Sequence, residues 1–178
     1  MKSSTLVSEL DDLTTLISKL EDHQLLSVRA CLDKEFACRK LSFSVGDLGE
    51  ELVIKYFNAT PGLPNLIRSP KGSKNVDALS RNGERVSIKT IQKGQKTGTI
   101  YPDIQDPDKQ LFEILLIVKL DLVYQLESVY TFSWAEFIQA RAWDKRMNAW
   151  YIPFSFSKLS LGKQLLAVKS ETKSDALA

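Results

Sequence analysis

The run Phe112-Glu113-Ile114-Leu115-Leu116-Ile117-Val118-Lys119-Leu120 leaves few choices of fold. It is almost continuously apolar, yet much shorter than the stretch a helix needs to cross a bilayer. A strand of this kind is buried on both faces, so its sheet needs cover on each side. Residues 122–131 read as a second strand, antiparallel to the first after a tight turn at Asp121. Ser133, with Glu136 three residues on, forms a capping box for a helix over 134–141. Trp150 to Phe156 reads as an edge strand, stopped or kinked at Pro153.

The N-terminal third is helical. Leu6, Leu10, Leu13, Ile17 and Leu20 alternate at four- and three-residue spacing and make one apolar stripe. A second helix is expected over residues 23–40, the pair forming a helical hairpin packed on the main domain, with dimerisation as the alternative use of the stripe. A third helix covers 45–58, with Ser44 and Asp47 at its start in the arrangement of a capping box. On a helical wheel Leu48, Leu52, Val53, Tyr56 and Phe57 make one arc with Ile54 at its edge, and Glu50 falls inside it, between Phe57 and Ile54, while Glu51 falls outside. A carboxylate at a core boundary needs a cation, a hydrogen-bond donor or a metal.

Between these blocks, Leu66-Ile67-Arg68 reads as a short strand, and residues 75–80 and 84–91 as a hairpin. Its turn is Asn82-Gly83, the dipeptide favoured in type I′ turns. Residues 92–110 are a long polar loop with Gly94, Gly98, Pro102 and Pro107, a kind that is often functional or mobile. Alternation on the second hairpin strand puts Val86, Ile88 and Thr90 on one face and Arg85, Ser87 and Lys89 on the other. With Ser80 opposite Arg85, and Ala78 opposite Ser87 or its neighbour, Asp77 comes diagonally within reach of Ser87 and Lys89.

The 178 residues fit one domain with a small helical appendage. Cys31 and Cys38 read as reduced core residues. The single histidine, His23, argues against a zinc site of His and Cys and against a catalytic triad. No run is long enough for a membrane helix, and Met1 is not followed by an apolar signal core, so a cytoplasmic protein is expected, with no membrane partner. The net charge of +2 is too small to argue for nucleic acid, but from Arg68 to Lys96 there are eight basic residues against Asp77 and Glu84. Such a local excess suits a polyanionic partner.

An aspartate opening a hairpin, followed after the turn by Ser87-Ile88-Lys89-Thr90, resembles the core of the PD-(D/E)XK nuclease superfamily. Gly46-Asp47-Leu48-Gly49-Glu50 is similar to the G-x-x-G-E start of the helix that precedes the catalytic hairpin in many members. The resemblance covers about residues 44–140. It implies an α/β domain with a central mixed sheet flanked by helices, a restriction-endonuclease-like core at 44–168. Residues 1–43 then form an N-terminal helical extension and 169–178 a disordered tail.

By the same resemblance, Asp77 is the central metal-binding carboxylate and Glu50 the helix acid that meets a metal. The Ile88 carbonyl is a further ligand, and Lys89 orients or activates the attacking water. The cofactor implied is Mg²⁺ or Mn²⁺. The partners implied are DNA, double-stranded favoured, and a second copy of the chain, since cutting both strands calls for two sites. Arg68, Lys71, Lys74 and Lys93 would meet phosphates. The expected activity is that of a restriction or defence endonuclease. Ser87 departs from the pattern, which has Glu or Asp two residues before the lysine. Either Glu50 supplies the acid from its helix, or the fold is an inactive module that binds nucleic acid or protein. An assembly role with a merely solvated basic cluster is the third reading.

Overall fold

A computed structural model describes residues 2–40, 44–70 and 72–168. The expected disordered tail, and Lys71, lie outside the described residues. The chain divides into two compact units, Met1–Phe43 and Ser44–Ala178.

The first unit holds α1 (Lys2–Ile17) and α2 (Asp22–Cys38). No residue of α2 is buried, and Leu13, Leu16, Leu26, Leu32 and Phe36 are exposed. Cys31 and Cys38 are free thiols in exposed positions, not core residues as the sequence suggested. The apolar residues of α2 do not gather on one side at helical spacing, so the helix has no inner face to bury a cysteine.

The second unit contains α3 (Val45–Ala59), β1 (Leu66–Arg68), β2 (Ala78–Ser80), β3 (Arg85–Ile91), β4 (Ile114–Leu120) and β5 (Leu126–Ser133). It continues with α4 (Trp134–Ala140), β6 (Ala142–Asp144), β7 (Ala149–Tyr151), α5 (Phe156–Leu159) and β8 (Lys163–Ala167). Six strands form one sheet in the order β1-β2-β3-β4-β5-β8, and β6 pairs with β7 separately. Only β3 and β4 run parallel; the other neighbours are antiparallel. The unit is thus mixed α/β.

β4 sits between β3 and β5 and sends alternate side chains into two cores. Leu115 and Ile117 join Phe112, Phe132 and Phe137 on one face, while Leu116, Val118 and Leu120 join Val53, Phe57 and Val86 on the other. Each face is closed by a helix, α4 on the first and α3 on the second. The cap of α4 is as expected, with Ser133 Oγ accepting from the Glu136 N–H and the Glu136 carboxylate accepting from the Ser133 N–H.

Three local expectations need correction. The hairpin between β2 and β3 does not use a type I′ turn. Gly83 N–H donates to Ser80 O at 2.9 Å, and of the two turn residues only Gly83, at φ 81°, is left-handed. This is a longer loop ending in a left-handed glycine; it pairs Ala78 with Val86, the neighbour of Ser87, and Leu79 rather than Ser80 with Arg85. Ser80 Oγ stabilises it by accepting from the N–H groups of Asn82 and Glu84.

Second, β5 begins at Leu126 because residues 122–125 are consumed in the turn. There Asp121 Oδ1 accepts from the N–H groups of Val123 and Gln125, and Tyr124 is left-handed at φ 65°. Third, Trp150–Phe156 is not the sheet edge. Trp150 belongs to β7, Phe156 opens α5, and the sheet's edges are β1 and, beyond β5, β8. The 92–110 loop contains no helix or strand. It is anchored by Thr97 N–H to Ile152 O at 3.0 Å and by paired bonds between Ile100 and Trp150.

Candidate active site

β2 begins at Ala78, and Asp77 lies in the bend just before it. The Asp77 backbone is held from both sides: its N–H donates to Val86 O at 2.9 Å, and its carbonyl accepts from Ser69 N–H at 3.0 Å. The loop between β1 and β2 turns through Pro70, Gly72 at φ 92° and Asn75 at φ 61°, and so delivers the aspartate beside β3.

Three donors meet one oxygen of that carboxylate. Oδ2 accepts from the Ile88 N–H at 2.6 Å and from Ser87 Oγ at 3.1 Å, and Lys89 Nζ lies 3.6 Å away. No hydrogen bond to Oδ1 is made among the described residues. Within a strand the N–H and C=O of one residue point to the same side. The Ile88 carbonyl therefore faces the gap that β2 leaves at Asp77, as its N–H does. Ser87 is buried, and its hydroxyl does not replace the missing acid but orients the acid that is present.

Glu50 reaches the site from α3, and Gly49 sets how close that helix comes. A Cβ at Gly49 would lie 2.1 Å from Thr90 Oγ1 and 2.7 Å from Thr90 Cβ. Only glycine lets α3 rest directly on β3 here. Glu50 and Asp77 then line one cavity of about 300 Å³, together with Asp47, Arg68, Ser69 and Ser73. Arg68 donates to Glu50 Oε2 at 3.0 Å and to the Asp47 carbonyl at 3.1 Å. Burial holds the Glu50 carboxyl above the ordinary carboxylate range; the Arg68 hydrogen bond opposes the shift and the charge of Asp77 adds to it. Glu51 is exposed and paired with Lys55, as its place on the wheel suggested.

The structure thus brings Asp77, Ser87, Ile88 and Lys89 together, and brings Glu50 and Arg68 to the same cavity as Asp77. Lys89 meets Asp77 but does not line that cavity. Lys74 and Lys93 are exposed and make no ion pair among the described residues. Much of the basic cluster is spoken for internally: Arg85 pairs with Glu113 at 2.7 Å and Lys96 with Asp144 at 2.9 Å.

No three His, Cys, Asp or Glu side chains converge as a metal cluster among the described residues. Sequence reasoning passed over Ser69, whose buried Oγ has no hydrogen-bond partner among the described residues, and treated Asp47 only as a capping residue. Neither carries a pattern signal, because both reach the cavity through the bend of a loop or the first turn of a helix. No protein-family model matches the chain, and no curated protein matches it.

Proposed function

We propose that the second unit is a metal-dependent phosphodiesterase with a restriction-endonuclease-like core, acting on DNA as an endonuclease of restriction or defence type. The observation that carries this reading is the Asp77 carboxylate, fixed through Oδ2 by Ser87, Ile88 and Lys89, with Oδ1 accepting no hydrogen bond among the described residues, in a cavity it shares with Glu50. Mg²⁺ and Mn²⁺ take oxygen donors and need only one or two carboxylates, and the donors here suit them: Asp77 Oδ1, the Ile88 carbonyl and Glu50. Such an ion would polarise a phosphate and lower the pKa of a bound water.

The chain's own residues do the rest. Lys89 holds a positive charge against Asp77, where it can also face negative charge developing on a phosphate. Ser87 and the Ile88 N–H keep the carboxylate from rotating. Arg68 balances Glu50 and is available to a phosphate oxygen, as are Lys74 and Lys93. Double-stranded DNA cut on both strands calls for two copies of the site, and the exposed leucines of α1 and α2 offer a surface for a homodimer.

A second reading has its own observation. Ser87 stands where the superfamily has an acid, and Arg68 already neutralises Glu50, which suits an inactive module that binds nucleic acid without cutting it. Lys89→Ala decides between the two. Duplex cleavage with Mn²⁺ is expected to fall by about a hundredfold or more, as when one preorganised electrostatic group is removed, with DNA binding largely retained. Equal cleavage by the variant contradicts the assignment, and absence of cleavage by wild type favours the inactive module.

A further inference from the structure

Three concavities of the second unit share walls. Val76 lines both the Asp77 cavity and a smaller hollow bounded by Arg85 and Lys109. Lys74 and Asp103 line both that hollow and a third, of about 630 Å³. The third differs in character: Tyr101, Ile104, Trp143 and Met147, all exposed, form its apolar walls. Exposed aromatic and aliphatic side chains thus gather in one concavity.

The aromatic wall is propped from behind. The Trp143 ring packs edge-on against Trp150 with centroids 4.4 Å apart, and the Arg141 guanidinium lies 3.8 Å from the centroid of the Trp150 ring. Trp143 is still 37% exposed, so a rigid indole is open to a planar partner.

Charge at the rim says what kind of partner. Lys74, Lys145 and Arg146 are exposed and make no ion pair among the described residues; the last two sit in the β6–β7 turn between Trp143 and Met147. Of the acids of the neighbouring loop, Asp103 pairs with Lys109 and also accepts from the N–H groups of Gln105 and Asp106, and Asp106 accepts from the Asp108 N–H. Unneutralised cations around open aromatic faces suit a polyanion that carries flat rings: basic side chains track the backbone while bases stack.

We infer that this third hollow binds an unpaired base of a nucleic acid whose backbone runs past Lys74 toward Asp77. The inference rests on the phosphodiesterase reading only for what happens at Asp77. It narrows the substrate to DNA that presents single-stranded or displaced bases near the cut.

Fluorescence anisotropy in EDTA, where cleavage is silent, tests it with labelled oligo-dT, an abasic strand of equal length and a blunt duplex. Oligo-dT is expected to bind more tightly than the abasic strand. Trp143→Ala and Tyr101→Ala are each expected to weaken oligo-dT binding by about tenfold, leaving abasic and blunt-duplex binding unchanged, while Trp143→Phe retains most of the affinity. Tyr101→Ala stands in should Trp143→Ala fail to fold. Equal binding of oligo-dT and abasic strand, or unchanged affinity in a folded variant, overturns the base site. Base-dependent binding without any Mn²⁺-dependent cleavage by wild type supports the base site and overturns the phosphodiesterase reading instead.

Discussion

Three donors on a single oxygen of Asp77 make the carboxylate hard to turn, and Ser87 is the one that can be removed with least collateral change. Ser87→Ala leaves the Ile88 N–H and Lys89 in place. The loss is expected to be about 1 kcal/mol of stability, read by urea unfolding; no measurable loss means the hydroxyl is not holding the carboxylate. Further along the hairpin, Glu113 accepts from the Arg85 side chain and from the Arg85 N–H at 2.6 Å, tying the start of β4 to β3. The Arg85 hydrogen bond holds the Glu113 carboxyl below its ordinary range, with burial opposing and the backbone bond adding to the effect. A depressed folded-state pKa gives stability that is present above the unfolded pKa and lost as pH falls through the folded one. Glu113→Gln is therefore expected to lower the melting temperature at neutral pH, and the gap to wild type is expected to close on acidification. A gap that is independent of pH contradicts the ion pair as its cause.

At the level of elements, the contact between α3 and β3 positions the acid on the helix relative to the acid on the hairpin. Gly49→Ala places a methyl group inside van der Waals range of Thr90, a short side chain with nowhere to fold away. A cost of about 1–3 kcal/mol is expected from overpacking, with Mn²⁺-dependent cleavage falling as Glu50 is displaced; an unperturbed variant contradicts the close approach. The Gly-Glu pair was visible in the sequence, but the reason for the glycine was not, because Thr90 lies on another element. The same limit explains the other misses. The Asn82-Gly83 signal located the hairpin, yet Ser80, whose hydroxyl takes two loop N–H groups, favours a longer turn and moves the register by one residue. β8 escaped notice because a short edge strand, half exposed, lacks the apolar alternation that gives an inner strand away. β4 was legible because burial on both faces writes itself into every residue.

For the whole molecule, function depends on charges and surfaces that no single element owns. Of the basic residues expected to meet phosphates, Lys74 and Lys93 are without an ion pair among the described residues, and Arg68 is shared with Glu50. Lys74→Ala is expected to weaken DNA binding across sequences and to reduce the salt slope by about one unit, measured by titration at several ionic strengths. An unchanged slope removes Lys74 from the phosphate track. The exposed leucines of the first unit set the expectation for assembly: Leu13→Asp is expected to convert a dimer to a monomer in light scattering, and a monomeric wild type contradicts the two-site picture. Composition and motif order carried the mixed α/β class, the approach of Lys89 to Asp77 and the placing of Glu50 and Asp77 on one cavity. They said nothing of the route from that cavity to the aromatic hollow, which exists only because the 92–110 loop and the β6–β7 hairpin meet in space. The central claim is that Asp77 and Glu50 hold a divalent cation. Isothermal titration with Mn²⁺ on wild type and Asp77→Ala tests it most directly: a single site that titrates in wild type and disappears in the variant is expected, and the absence of metal binding in both contradicts it.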